Sequence, residues 1–216
     1  HRKGTEVTVE KATAGSTSSL LLGQKTAGGA PVTLKGNAVQ IDSTGRTVLG
    51  DNLTIDTKAL GLGSGSVVVG EAAQPVSDAL QVKGELLNQL NKLERLNLRA
   101  STGSLALAAG TQLGGDQTRR ITLDAPQIQG VAAKDAVAGQ PPVVSRVSAQ
   151  EVVLRNGSGV TASETLKGVG TLLVEARPAS TDGRTGGVTF EGNQDKSGSQ
   201  ASSQRLAFGD VQVRST

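Results

Sequence analysis

Five carboxylates close short apolar runs in this chain: Asp42 in VQID, Asp56 in LTID, Asp124 in ITLD, Glu175 in LLVEA and Glu191 in VTFEG. Two carboxylates facing each other across a groove carry the acid/base hydrolysis of sugars. Strands stacked one upon another bring such groups to neighbouring positions on one face. Asp42, Asp56 or Asp124 then stand as the acid and base of a polysaccharide lyase or hydrolase. The competing reading is local: an Asp at a strand end fixes a turn by accepting nearby backbone N–H groups. The turn role is favoured, because sugar-active clefts lean on aromatic faces and this chain has only two rings, Phe190 and Phe208.

Other chemistry is sparse. The one histidine is His1, so the interior offers no His-dependent triad, acid/base pair or zinc site. With no Cys, disulfides and thiolate ligands drop out. That absence suits a chain that crosses an oxidising periplasm unfolded. Gly61-Leu62-Gly63-Ser64-Gly65 has the outline of a phosphate loop but leads into Val67-Val68-Val69, not into a helix N-terminus. A turn between strands is the expected role of those glycines. Gly114-Gly115-Asp116 resembles one calcium-binding nonapeptide, and a single copy reads as a turn. Asn52-Leu53-Thr54 and Asn156-Gly157-Ser158 match the glycosylation acceptor pattern, which arises often by chance. The net charge of +3 comes from 22 Lys plus Arg against 19 Asp plus Glu, scattered and without an aromatic platform, which argues against nucleic-acid binding. No stretch approaches the ~20 apolar residues of a membrane span. No catalytic, cofactor-binding or metal-ligating residue is assigned.

The elements that would position these residues are short. An apolar-x-apolar beat recurs as Val32-Thr33-Leu34, Leu53-Thr54-Ile55, Leu96-Asn97-Leu98, Leu105-Ala106-Leu107, Ile121-Thr122-Leu123, Val152-Val153-Leu154, Leu172-Leu173-Val174, Val188-Thr189-Phe190 and Val211-Gln212-Val213. Period-two alternation marks strands with one buried face. Extra beats at 38–41, 47–49, 67–69 and 206–208 supply further strands. Gly, Asn, Asp or Ser cuts each run. No single short strand buries its apolar face, whereas many in register do, as in a solenoid. Leu34 to Ile55 is 21 residues, Leu154 to Val174 is 20 and Val174 to Phe190 is 16, near the roughly 20 of one β-helix turn. Without Trp, Tyr, Met or Cys, the core has to be built from Val, Leu, Ile and Ala. Leu34, Ile55, Leu98, Leu107, Leu123, Leu154, Val174 and Val213 are expected inside, with Thr54 and Thr122 facing solvent.

One segment departs from the beat. Residues 77–95 (SDALQVKGELLNQLNKLER) carry Leu80, Leu87, Leu90 and Leu93 at helical spacing, which predicts a helical insertion leaning its leucines on the strands, with a kink at Gly84. Residues 130–143, ending in Pro141-Pro142, and the polar stretch 193–204 are expected loops. Strand-like sequence runs from Val7 to Val213, so 1–216 is expected to be a single β-helix segment excised from a longer chain.

The run LNQLNKLERLNLRASTGSLAL (Leu87 to Leu107) resembles the filamentous-haemagglutinin-like two-partner-secretion exoproteins, large β-helical adhesins of Gram-negative bacteria. VTFEGN (Val188 to Asn193) and LAFGDVQVRS (Leu206 to Ser215) carry the same texture. The resemblance implies an all-β, right-handed parallel β-helix. It implies export by an outer-membrane two-partner transporter and a place in a secreted, cell-surface fibre acting as an adhesin or biofilm-matrix shaft without catalysis. Partners would be a host or neighbouring-cell surface or matrix polysaccharide, with end-to-end self-association through bare strand edges. The family's N-terminal secretion domain is not recognisable here.

Overall fold

Each apolar beat named above becomes a strand or the greater part of one. The computed structural model describes residues 19–24, 31–76, 78–137, 140, 143–162, 167–178, 186–191 and 204–215. β1 (Ser19–Leu22) and β2 (Val32–Lys35) come first, followed by β3 (Ala38–Ile41), β4 (Arg46–Leu49) and β5 (Leu53–Asp56). β6 (Ala59–Ser64) and β7 (Ser66–Val69) precede an interruption made of β8 (Ala79–Val82) and helix α1 (Gly84–Leu90). Then come β9 (Arg95–Ala100), β10 (Ser104–Ala108), β11 (Gln112–Leu113), β12 (Arg120–Asp124), β13 (Gln127–Val131) and β14 (Ser145–Ala149). β15 (Glu151–Arg155), β16 (Thr171–Ala176), β17 (Gly187–Glu191), β18 (Arg205–Ala207) and β19 (Asp210–Ser215) complete the described chain.

Every named strand pairing is parallel. The protein is therefore an all-β, all-parallel structure with one helix among the described residues. Parallel neighbours cannot be joined by a tight hairpin. The chain meets that constraint by visiting other sheets between partners. One sheet has six strands in the order β17-β15-β12-β9-β6-β3, one has five (β18-β13-β10-β7-β8) and one has four (β11-β14-β16-β19). From β9 to β14 the chain takes the six-, five- and four-stranded sheets in turn, twice over. β1-β4 and β2-β5 form two smaller sheets near the start.

The register aligns like with like. On the six-stranded sheet one inward ladder runs Val39, Leu60, Leu96, Ile121, Val152, Val188, and a second runs Ile41, Leu62, Leu98, Leu123, Leu154, Phe190. Leu105 over Ile128 and Val147 over Val174 do the same on the other sheets. Nearly all of these side chains join one aliphatic core. Branched side chains stacked this way fill a narrow interior without aromatic bulk. Hydroxyls turn the corners: Thr47 Oγ1 donates to the Gly63 carbonyl (2.7 Å), and Ser101 Oγ reaches the carbonyls of Thr44 and Ser64 (3.1 Å each).

Several expectations need correction. Leu98, Leu107, Leu123, Leu154 and Val174 are fully buried as expected, whereas Leu34 and Ile55 are half-buried and Val213 is 45% exposed. Val213 and Phe190 (57% exposed) occupy inward positions on β19 and β17, the last strands of their sheets, so nothing described stacks upon them. Thr54 faces solvent, but Thr122 is buried between Asn97 and Val153 of the neighbouring strands. Residues 77–95 are not one helical insertion. Leu80 and Val82 alternate inward as β8, and α1 covers only Gly84–Leu90, with Gly84 at its start and Leu90 and Leu93 buried. The 20- and 16-residue spacings do not measure one round either, since β15, β16 and β17 alternate between two sheets. The paired positions on the six-stranded sheet advance from Ala38 to Ala59, Arg95, Arg120, Glu151 and Gly187. Of the expected loop 130–143, Gly130 and Val131 belong to β13; Pro141 and Pro142 lie outside the described residues, as do His1, Val7 and 193–203.

Candidate functional site

The residue following each second apolar position on the six-stranded sheet points outward at the strand end. In spatial order these are Asp42, Gly63, Arg99, Asp124, Arg155 and Glu191. Gly63 has a specific role. A Cβ there would overlap Asp42 Oδ1, and a Cβ at Gly61 would overlap Gln40 Oε1. The two missing side chains let Asp42 and Gln40 lie across β6. These glycines therefore sit within a strand, contrary to the expected turn, and only Gly65 falls at the bend after it.

With β6 bare, Asp42 Oδ2 reaches Arg99 Nη1 at 3.1 Å. Two strands on, Asp124 Oδ2 takes Arg155 Nε at 2.9 Å, while Asp124 Oδ1 accepts the Gly157 N–H at 2.7 Å. Asp124 is only 2% exposed. These charge-assisted bonds offset its burial, and removing the arginine leaves a buried carboxylate without its countercharge. The column alternates acid, base, acid, base, acid across a cleft of about 420 Å³. Asn97, Asn156 and Gly157 complete its lining.

Two polar atoms in this lining are shut from solvent and have no hydrogen-bond partner among the described residues: Asn97 Oδ1 and Arg99 Nε. Such an orphan costs about 1–3 kcal/mol. Both belong to β9, two residues apart on its outward side. One is an acceptor and the other a donor.

Of the five carboxylates singled out by sequence, Asp42, Asp124 and Glu191 meet in this cleft. Asp56 and Glu175 do not. Asp56 pairs with Lys35 Nζ (2.7 Å) on the β2-β5 sheet, and Glu175 accepts from Ser148 Oγ (3.3 Å) on the four-stranded sheet. The hydrogen bond that Lys35 donates to Asp56, and then the carboxylate's charge, raise the Lys35 ammonium above its usual 10.5. Asp42 and Asp124 act as ion-pair partners, which neither the turn role nor the acid/base role foresaw. Arg99 and Arg155 were missed, although their runs LNLR and VVLR place charge where VQID and ITLD do. The shared position was the signal, and sorting residues by sign hid it.

Elsewhere, Asp116 of the Gly114-Gly115-Asp116 turn pairs with Arg177 Nη1 at 2.7 Å. No group of three or more His, Cys, Asp or Glu side chains suited to a metal ion occurs among the described residues. Asn156 of the glycosylation pattern is 1% exposed, with Nδ2 donating to the Val160 carbonyl at 2.9 Å. No described helix is long and apolar enough to cross a membrane. Comparison with protein-family models, curated proteins and solved structures finds no match to this chain.

Proposed function

We propose that the three larger sheets are the walls of a right-handed parallel β-helix, and that the chain is a structural or adhesive segment of a secreted bacterial surface fibre. The observation that carries this reading is the pair of apolar ladders threading all six strands of one sheet in unbroken parallel register. A stack of that kind extends by repetition and spaces whatever lies beyond it. The resemblance of Leu87 to Leu107 to filamentous-haemagglutinin-like exoproteins supplies the rest: export through an outer-membrane two-partner transporter, and contact with a host or neighbouring-cell surface or matrix polysaccharide. The exposed inward positions Phe190, Val211 and Val213 favour end-to-end self-association.

Immunogold labelling of intact cells that produce this chain tests this reading. Label on extracellular material away from the envelope is expected. Label that appears only after the cells are permeabilised overturns it. The second reading, a β-helical polysaccharide lyase or hydrolase, draws on Asp42, Asp124 and Glu191 sharing a cleft. The arginines interleaved between them, and bonded to the first two, weigh against a free acid/base pair.

A further inference from the structure

We infer that the cleft on the outward side of the six-stranded sheet binds a neutral, hydroxyl-rich carbohydrate chain, with Asn97 Oδ1 accepting from one sugar hydroxyl and Arg99 Nε–H donating to another. The starting observation is the orphaned pair itself. A donor and an acceptor lie on one strand face, in side chains that line the same cleft. A hydroxyl both donates and accepts, so the hydroxyls along a sugar chain supply partners of both kinds. Neither atom is reached by solvent. Binding therefore requires Asn97 and Arg99 to swing toward the cleft, and that movement is observable.

Charge selects the class of chain. Arg99 and Arg155 are already engaged by Asp42 and Asp124, and Glu191 adds a third carboxylate against two guanidinium groups. An anionic glycan finds no unspent positive charge there. Hydrogen-bonding capacity selects sugar over peptide, because every hydroxyl offers both a donor and an acceptor. The lining side chains come from successive strands, so groups repeat across the sheet at ~4.8 Å. The cleft lacks an aromatic face, so hydrogen bonds carry the recognition and millimolar titrant is appropriate. This inference deepens the polysaccharide-partner element of the proposed function, but it rests on the sheet geometry. Surface labelling and sugar binding therefore succeed or fail separately.

The test is nuclear magnetic resonance of the labelled protein, following the Arg99 Nε–H and Asn97 side-chain amide signals. The titrants are cellohexaose, maltohexaose, xylohexaose, mannohexaose and chitohexaose, with oligogalacturonate and a Gly/Ser decapeptide as comparison arms. Saturable shifts of both signals with at least one neutral hexasaccharide are expected, and affinity should weaken about tenfold in Asn97→Ala and in Arg99→Lys. Arg99→Lys keeps the positive charge beside Asp42 while removing the Nε–H. Unchanged backbone spectra elsewhere in each variant show that the sheet is intact. Absence of shifts with all five neutral sugars overturns the inference. So does preferential binding of the uronate or the peptide, or undiminished binding by both variants.

Discussion

The six-stranded and five-stranded sheets present the same kind of surface inward and opposite kinds outward. Inside, Leu98 on β9 and Leu107 on β10 are both fully buried in one core. Outside, the six-stranded sheet carries Asp42, Arg99, Asp124 and Arg155, paired across strands. The corresponding side of the five-stranded sheet carries Val68, Ala79 and Ala106, all buried against Ala72, Val76 and Val131. Its own chain covers it. Residues 71–73 run back along 132–134, with Ala73 N–H on the Ala132 carbonyl, Lys134 N–H on the Glu71 carbonyl, and a single antiparallel bridge between Ala72 and Ala133. The inner face holds the strands together, while the outer face decides whether the chain passes on or folds back as a cover.

The comparison also locates the irregularities. Coverage and insertion go together on the five-stranded sheet. β8 adds itself beside β7 out of sequence order, and β18 pairs directly with β13, so the passage from β15 to β16 contributes no strand to that sheet. The six-stranded sheet receives one strand from every passage between β3 and β17. Its alternating charges sit on the sheet that is never interrupted.

Substitutions on both sheets sharpen or break this contrast. The largest effect belongs to the shared interior. Leu98→Ala and Leu107→Ala should each cost about 2–5 kcal/mol in denaturant unfolding. Values far apart would show that the two inner faces are not equivalent. Arg155→Ala comes next. It leaves Asp124 buried with only the Gly157 N–H, at a cost of about 2 kcal/mol. Adding Asp124→Asn to Arg155→Ala should shrink the deficit, and a deficit that persists in the double variant would count against an electrostatic cause. The smallest change is Val68→Thr, about 1 kcal/mol, because it places a hydroxyl under the cover. Its distinguishing mark is faster hydrogen exchange at the Ala73 amide without change at Arg99. Exchange that rises equally at both sites would mean the cover is not an independent layer.

Much of the architecture was legible because period two survives in small fragments. Three residues such as Ile121-Thr122-Leu123 suffice to mark a strand and its buried side. What three residues do not state is which sheet they join. Leu154 and Val174 are spaced like neighbours in a stack, yet β15 and β16 belong to different sheets. Strand β14 (SRVSA) escaped notice because Ser145 and Ser148 are buried polar residues, with Ser145 Oγ bonded to the Ala108 carbonyl at 3.0 Å. In residues 77–95 leucine spacing matched a helix, but the burial of Leu80 and Val82 beside β7 prevailed over local helix preference. The cleft was half visible. Its carboxylates stood out, whereas Asn97 and Arg99 become notable only when three dimensions show that two of their atoms lack partners.

The alternating column has one more consequence, for how the strands find their mates. Leucine upon leucine is nearly indifferent to a shift by a whole rung, because the side chain above resembles the one below. Such a slip is a hazard for any chain whose repeats look alike. Moving β15 from its place beside β12 to one beside β9 would set Arg155 against Arg99, and like charges facing across adjacent strands repel. The greasy interior thus supplies adhesion without an address, and the alternating column at this end of the strands favours the native neighbour, while at the other end Arg120 faces Arg95 even in the native stack.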